Sequence, residues 1–277
     1  MAYREKLKTA FDLLMQRRMK PRPWTDGASL PWQERDFSQS FLEAEELPEL
    51  ASKGEARFLL ERFSGGPILE IACGAGRTAK ELFRVRPEID FTGLDIGPYP
   101  LELARDRCPK GKFVRADMRK LPFFGKTFSL VFCVYGGFLG LKRREAHRLM
   151  DSLASILLPG GLLLLEFPSE SFLSSIDGLQ EWWVSESSFA GDFPQLGLSE
   201  NFYYHENRIY MRRDFVFDLE NASIREFTQS NCVYNEFEIR SLLESHGFLV
   251  LSIHGTWDGR SLEADSERLI LLASTKN

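Results

Sequence analysis

The sequence predicts an α/β protein: a seven-stranded, mostly parallel sheet with helices on both faces, an inserted antiparallel β element and an N-terminal helical segment. Three observations carry this reading. Between residues 67 and 170, short apolar runs alternate with stretches of helical periodicity. One run, residues 128–134, is apolar almost throughout, as expected of a parallel strand covered on both faces. From about Trp182 the pattern changes to aromatic-rich, strand-like segments joined by short polar turns, the spacing of antiparallel hairpins. Regular strand–helix alternation specifies a doubly wound sheet with right-handed crossovers.

In order, residues 1–54 form an N-terminal helical segment. Leu7, Phe11, Leu14 and Met15 lie at helical spacing, and prolines then interrupt regular helix from Pro21 to Trp32. Residues 55–170 form the core, with strands at 67–72, 91–96, 112–117, 128–134 and 162–167. Helices lie at 55–63, 78–84, 101–107 and 145–157, and Pro159-Gly160-Gly161 stops the last of them. Residues 171–234 are the insertion, with strands at 202–205, 209–218 and 223–228. Residues 235–277 complete the core with a helix capped by Asn235 and two strands, 248–253 and 268–273.

Composition bounds the function. The 277 residues are 43% hydrophobic and 27% charged, enough to bury a full core. A net charge of −5 argues against a nucleic-acid partner, which requires a concentrated basic face. The clusters Arg17-Arg18-Met19-Lys20 and Lys142-Arg143-Arg144 have acidic neighbours and read as solvated helix ends. Cys73, Cys108, Cys133 and Cys232 lack metal-ligand spacing and lie in or beside apolar runs, so buried, reduced thiols are expected and no metal site. With no apolar run long enough for a membrane span and no signal-peptide pattern, a cytoplasmic protein is expected.

The chemistry concentrates in Leu69-Glu70-Ile71-Ala72-Cys73-Gly74-Ala75-Gly76-Arg77, where a strand runs through a glycine-rich turn into a helix. Glycines there let the backbone approach a ligand closely. Asp95, at the end of the next strand, is placed to accept from both hydroxyls of a ribose. Taken alone, Gly74-x-Gly76-x-x-Ala79 also fits a nicotinamide-dinucleotide fingerprint. Glu70 precedes the turn where an acid meets a charged amino-acid moiety. Asp117, with Met118, stands where an adenine amine would be bound.

Together these segments resemble the class I S-adenosylmethionine-dependent methyltransferases, which have a Rossmann-like fold. Residues 70–76 resemble their first motif, Gly93-Leu94-Asp95 the second, Ala116-Asp117-Met118 the third, residues 128–135 the fourth, and Leu158-Pro159-Gly160-Gly161 the turn before the fifth strand. Ala72 replaces a usual glycine, and Ser129 replaces an acid common at the start of the fourth strand. The resemblance implies S-adenosylmethionine as cofactor and S-adenosylhomocysteine as product. It carries cofactor contacts onto Glu70, Ala72, Cys73, Gly74, Gly76, Asp95, Ile96, Asp117, Met118 and Val134. It further implies that residues 31–38 fold over the cofactor as a lid, with Trp24, Trp32 and Phe37 either shielding the sulfonium or stapling the leader onto the core, and that the insertion binds a small-molecule acceptor or forms homodimer contacts.

Methyl transfer to an amine or carboxylate needs little proton chemistry, whereas a phenol, sugar hydroxyl or carbon acceptor needs a general base. Of the four histidines, His147 and His246 read as structural, while His205 and His254 are candidates. His205 ranks first, and Tyr135, just past the fourth strand, is an orienting hydroxyl of equal standing. Arg212, Arg213 and Arg225 read first as solvated strand charges and second as candidates for holding an anionic acceptor group. No Asn-Pro-Pro-Tyr or Asp-Pro-Pro-Tyr follows the fourth strand, which argues against amide and nucleobase acceptors. The rival readings are an NAD(P)-dependent oxidoreductase, which lacks a Tyr-x-x-x-Lys pair here, an enzyme using a carboxylated or aminopropyl-donor derivative of the same cofactor, and a non-catalytic cofactor-binding scaffold.

Overall fold

The computed structural model describes residues 49–186, 193–221 and 223–276, together with positions 5, 8, 9, 11, 12, 14, 15 and 21. The expected lid, residues 31–38 with Trp24, Trp32 and Phe37, lies outside the described residues. The chain divides into two compact units: Leu47–Phe172 with Cys232–Asn277, and Met1–Glu46 with Leu173–Asn231.

The first unit holds helix α1 (Glu49–Arg62), β1 (Ile68–Ile71), α2 (Arg77–Val85), β2 (Phe91–Asp95), α3 (Pro98–Arg107), β3 (Lys112–Arg115), β4 (Phe128–Cys133), α4 (Arg143–Ile156), β5 (Leu157–Pro168), the short α5 (Glu170–Ser175, shared at the unit boundary), α6 (Glu236–Ser245), β10 (Phe248–His254) and β11 (Arg268–Thr275). Its seven-stranded sheet has the order β10-β11-β5-β4-β1-β2-β3. β1 pairs in parallel with β2 and β4, β2 with β3, and β4 with β5; β11 runs antiparallel to both β5 and β10. The expected mostly parallel sheet is therefore present. The chain goes from β1 to β2 on one side and returns to β4 on the other. That reversal opens a crevice at the carboxyl ends of β1 and β4, the place where sheets of this kind bind ligands.

The elements follow from local chemistry. All four residues of β1 are buried, as a central parallel strand requires. On α4 the buried residues Ala146, Leu149, Met150, Leu153 and Ile156 recur at three- and four-residue spacing, which gives one core-facing stripe. The Asn235 side chain caps α6 by accepting from the Glu238 N–H at 2.9 Å, and the Glu238 side chain reaches back to complete the capping box. Phe58, Phe63, Ile68, Leu82, Phe132 and Leu164 meet in the principal core. All four cysteines are free and buried.

One expectation is corrected. Pro159-Gly160-Gly161 does not separate a helix from a strand, because β5 already begins at Leu157. Phe128 pairs with Leu157 and the next matched pair is Leu130 with Leu162, so the residues between bulge within a single strand. Gly160 takes the left-handed conformation (φ 70°) that this bulge needs.

The second unit contains a four-stranded antiparallel sheet of β6 (Gln180–Ser185), β7 (Gln195–Tyr204), β8 (Ile209–Asp218) and β9 (Ser223–Cys232), in that order. It exceeds the three expected strands: β6 adds an edge, and β7 begins at Gln195. Trp183 lies so close to Gly197 that a Cβ there would fall 1.9 Å from its ring, which explains a glycine in the interior of β7. Of the expected N-terminal apolar face, Leu14 is buried with Leu198, Phe215 and Phe217, while Phe11 and Met15 are exposed. Arg213 is not a solvated strand charge. It is buried in β8 and paired with Glu200, directly across on β7, so it has no capacity to hold an anion from outside. Arg212 is paired with Asp214 at 3.0 Å.

Candidate active site

The candidate site lies within the seven-stranded unit, at the carboxyl ends of β1, β2 and β4. After Ile71 the chain bends through Ala72, Gly74 and Gly76, with φ of 56°, 51° and 71°. The bend thus contains three left-handed residues, and Ala72 adopts this geometry without being glycine. A Cβ on Gly74 would meet nothing within 4 Å, so the main chain borders open space there. A Cβ on Gly76 would lie 3.2 Å from the Ala104 methyl, so this glycine serves helix–helix packing.

Asp95 ties the bend to the neighbouring strand. Its Oδ2 accepts from the Gly74 N–H and its Oδ1 from the Gly97 N–H, each at 2.8 Å. The Ile96 N–H also acts on this carboxylate, which still has lone-pair capacity for an outside donor. Burial raises the Asp95 carboxyl above its ordinary range, and the Gly97 and Gly74 N–H groups oppose that rise. Ile96 beside it is half-buried.

Glu70 is 2% exposed, and its Oε2 has no hydrogen-bond partner among the described residues. Burial drives its carboxyl well above the ordinary range; Arg77 pulls it down, while Glu55 and Asp95 push it further up. Arg77 is the hub of this cluster. Its guanidinium donates to Ser52 Oγ and Glu55 Oε1, both at 2.8 Å, and lies 5.4 Å from the Tyr135 ring centroid. Glu55 Oε2 also accepts from Thr78 Oγ1 at 2.8 Å, so α1 is clamped to the first turn of α2.

Beyond β4, Val134 is buried, and Tyr135 and Gly136 are both left-handed (φ 61° and 72°). The Tyr135 ring is exposed, and its N–H donates to Glu166 Oε2 at 2.5 Å. A Cβ on Gly137 would lie 2.8 Å from the Ala72 Cβ, so the bend after β1 and the turn after β4 touch at the crevice. Burial raises the Glu166 carboxyl to about 7, against the Tyr135 N–H and Arg268, whose Nη1 lies 3.6 Å from Oε1.

Asp117 and Met118 are half-buried after β3. The Asp117 carboxylate accepts from the Arg119 N–H and guanidinium at 2.6–3.0 Å. Burial pushes this carboxyl up, but the Arg119 bonds outweigh it and hold it below its ordinary range. Cys73 is buried beneath the bend, its thiol raised by burial.

The structure therefore brings Glu70, Ala72, Cys73, Gly74, Gly76 and Asp95 together, with Tyr135 and Val134 across the crevice. His205 belongs to the other unit, exposed at the turn after β7 with its ring edge-on to Tyr203. His254 is corrected as a base candidate, because Nδ1 and Nε2 are engaged by the Gly259 carbonyl and Ser252 Oγ at 2.8 and 2.9 Å. His147, His246 and Asp151 form a hydrogen-bonded chain joining α4 to the end of α6. Residue-by-residue reading missed the roles of Glu55, Arg77 and Glu166. For Glu166 a signal existed: it is an acid inside the otherwise apolar run 162–167.

A parallel sheet with an antiparallel seventh strand, a glycine bend after its central strand and an acid ending the next define the class I methyltransferase fold. Residues 68–161 match the family model described as methyltransferase domain. A demethylmenaquinone methyltransferase of Thermotoga maritima is 30% identical over 133 residues, covering 46% of this chain and 57% of that protein. Across the similar curated relatives, the matched region spans 36–57% of their length. The CcbJ methyltransferase of Streptomyces caelestis superposes with a TM-score of 0.72 at 17% identity, covering 91% of this chain and all of that one (100%). CalS10 of Micromonospora echinaspora, an amino pentose methyltransferase solved with S-adenosylmethionine bound, gives 0.57 at 21% identity over 94% of this chain and 100% of that one. At these identities the structural likeness establishes the fold.

Proposed function

We propose that this protein transfers a methyl group from S-adenosylmethionine to an oxygen, nitrogen or carbon nucleophile of a small molecule, releasing S-adenosylhomocysteine. The observation that carries the reading is the buried carboxyl of Glu70 beside the glycine bend, with one oxygen lacking a hydrogen-bond partner among the described residues. Around it, Glu55, Asp95 and Glu166 are also acidic, and the guanidinium of Arg77 is already bound to Glu55 and Ser52. Such a site favours a ligand with a cationic amino-acid end. It disfavours the dianionic pyrophosphate of a nicotinamide dinucleotide, because Arg77, the basic group that opens α2, is already neutralised by Glu55.

When bound, the cofactor supplies a methyl carbon activated by positive sulfur. The chain's own residues then bind and orient. Glu70 would accept from the ammonium, the Gly74 main chain would border the methionyl end, and the Asp95 carboxylate would bind the ribose. Asp117 and Met118 would hold the purine, with Ile96 and Val134 as apolar walls. Tyr135, exposed and left-handed past β4, orients the acceptor. His205 is the second candidate for proton transfer.

Methyl transfer from radiolabelled S-adenosylmethionine should be assayed against amino sugars and demethylmenaquinone, the acceptors suggested by the names of the similar proteins. Transfer to any acceptor supports the enzyme reading. Cofactor binding with no transfer across a broad metabolite extract supports the scaffold reading instead.

A further inference from the structure

We infer that Glu166 is a positioning residue: its carboxylate holds the main chain of Tyr135 in the left-handed turn that presents the Tyr135 ring at the acceptor end of the sheet. The inference rests on the methyl-transfer reading for its functional meaning, but its geometry stands alone. Two consecutive left-handed residues follow β4, and the first is a tyrosine, for which that conformation is strained. Both N–H groups of this turn run to one residue. Tyr135 N–H donates to Glu166 Oε2 at 2.5 Å, and Gly136 N–H donates to the Glu166 main-chain carbonyl at 3.3 Å.

Glu166 is itself held from several sides. Ile270 pairs with it across β11, which brings Arg268, two residues along the same strand, to Oε1 at 3.6 Å. The other charged groups acting on it are Arg77 from α2 and Glu55 from α1. Glu70 on β1 belongs to the same field through Arg77, and the Cys133 thiol at the end of β4 feels both Glu70 and Glu166. Two cations therefore favour the carboxylate form, while burial and Glu55 favour the acid, and the carboxyl titrates near 7. A carboxylate is a stronger acceptor than the neutral acid, so the grip on Tyr135 tightens as Glu166 loses its proton.

The direct test follows the Tyr135 amide in ¹⁵N–¹H spectra of the full chain from pH 5.5 to 8.5. In the wild type its proton should move downfield with a midpoint near 7. In Glu166→Gln it should stay flat across that range. Arg268→Ala keeps the carboxyl but removes a neighbouring cation, so its midpoint should rise; this holds even if Glu166→Gln fails to fold. With an acceptor in hand, wild-type kcat should rise through the same midpoint while the donor KM is unchanged, and Glu166→Gln should be flat. A Tyr135 amide that does not titrate in the wild type overturns the inference, as does one that titrates identically in Glu166→Gln or Arg268→Ala. S-adenosylhomocysteine titration of the same samples separates the two readings. Lost binding with an intact amide titration sinks methyl transfer alone, and a flat amide with intact binding sinks the role of Glu166 alone.

Discussion

The main-chain N–H of Gly74 donates to Asp95 Oδ2 at 2.8 Å, so the bend after β1 is fastened to the end of β2 by the same carboxylate that faces the crevice. Structure and binding are coupled at this point. Asp95→Ala removes the acceptor for both Gly74 and Gly97 N–H groups and should weaken S-adenosylhomocysteine binding by roughly 10–100-fold, measured by isothermal titration. Asp95→Asn keeps one oxygen acceptor and should fall between. Wild-type affinity in Asp95→Ala would show that β2 does not serve the cofactor.

Ala72 and Gly137 are a matched pair, since a methyl on Gly137 would meet the Ala72 methyl at 2.8 Å. Gly137→Ala should cost about 1–3 kcal/mol in denaturant unfolding. Adding Ala72→Gly should recover at least half of that loss, giving a coupling visible in a double-mutant cycle. Strictly additive effects would contradict the contact.

The pairing of Arg77 with Glu55 joins two helices through groups largely withdrawn from water. Arg77→Met leaves the Glu55 carboxylate buried without its cation and should cost about 3–5 kcal/mol. Combining it with Glu55→Gln should cost less than Arg77→Met alone. Chemical denaturation at neutral pH decides between these outcomes.

Glu166 links stability to pH. Its folded value is raised to about 7 from an ordinary 4.5, so the native state holds a proton that the unfolded chain releases. The associated stability is fully present below pH 4.5 and is lost as pH rises through 7, a total of about 3 kcal/mol. Glu166→Gln lacks this dependence, so its stability relative to wild type should increase between pH 5 and pH 8. Parallel stability curves for the two proteins would contradict the buried acid.

Much of the fold was legible because local signals and tertiary fate agree. The run 128–134 is apolar since β4 is covered on both faces, and Asn235 reads as a cap because its side chain reaches the Glu238 N–H. The bend was equally readable: Gly74, Gly76 and Asp95 are defined by backbone geometry and short sequence spacing. What escaped depends on contacts between distant segments. Glu55 and Arg77 meet across two helices, and Glu166 reaches back to Tyr135 across neighbouring strands. The requirement for glycine at 137 exists only because Ala72 approaches it in space. Pro159-Gly160-Gly161 misled as a helix stop because a proline and a left-handed glycine also suit a bulge inside a strand. Arg213 looked like surface charge because a charged side chain was read by its type, although it lies on the buried face of β8 with Met211, Phe215 and Phe217 while Arg212 beside it is exposed.

The account turns on whether the bend between β1 and α2 accepts the methionyl end of the donor. Isothermal titration of the wild-type chain with S-adenosylhomocysteine, and separately with NADH, measures this most directly. Saturable binding of one S-adenosylhomocysteine per chain, with no heat from NADH, is the predicted result. Saturable NADH binding without any S-adenosylhomocysteine binding would contradict it.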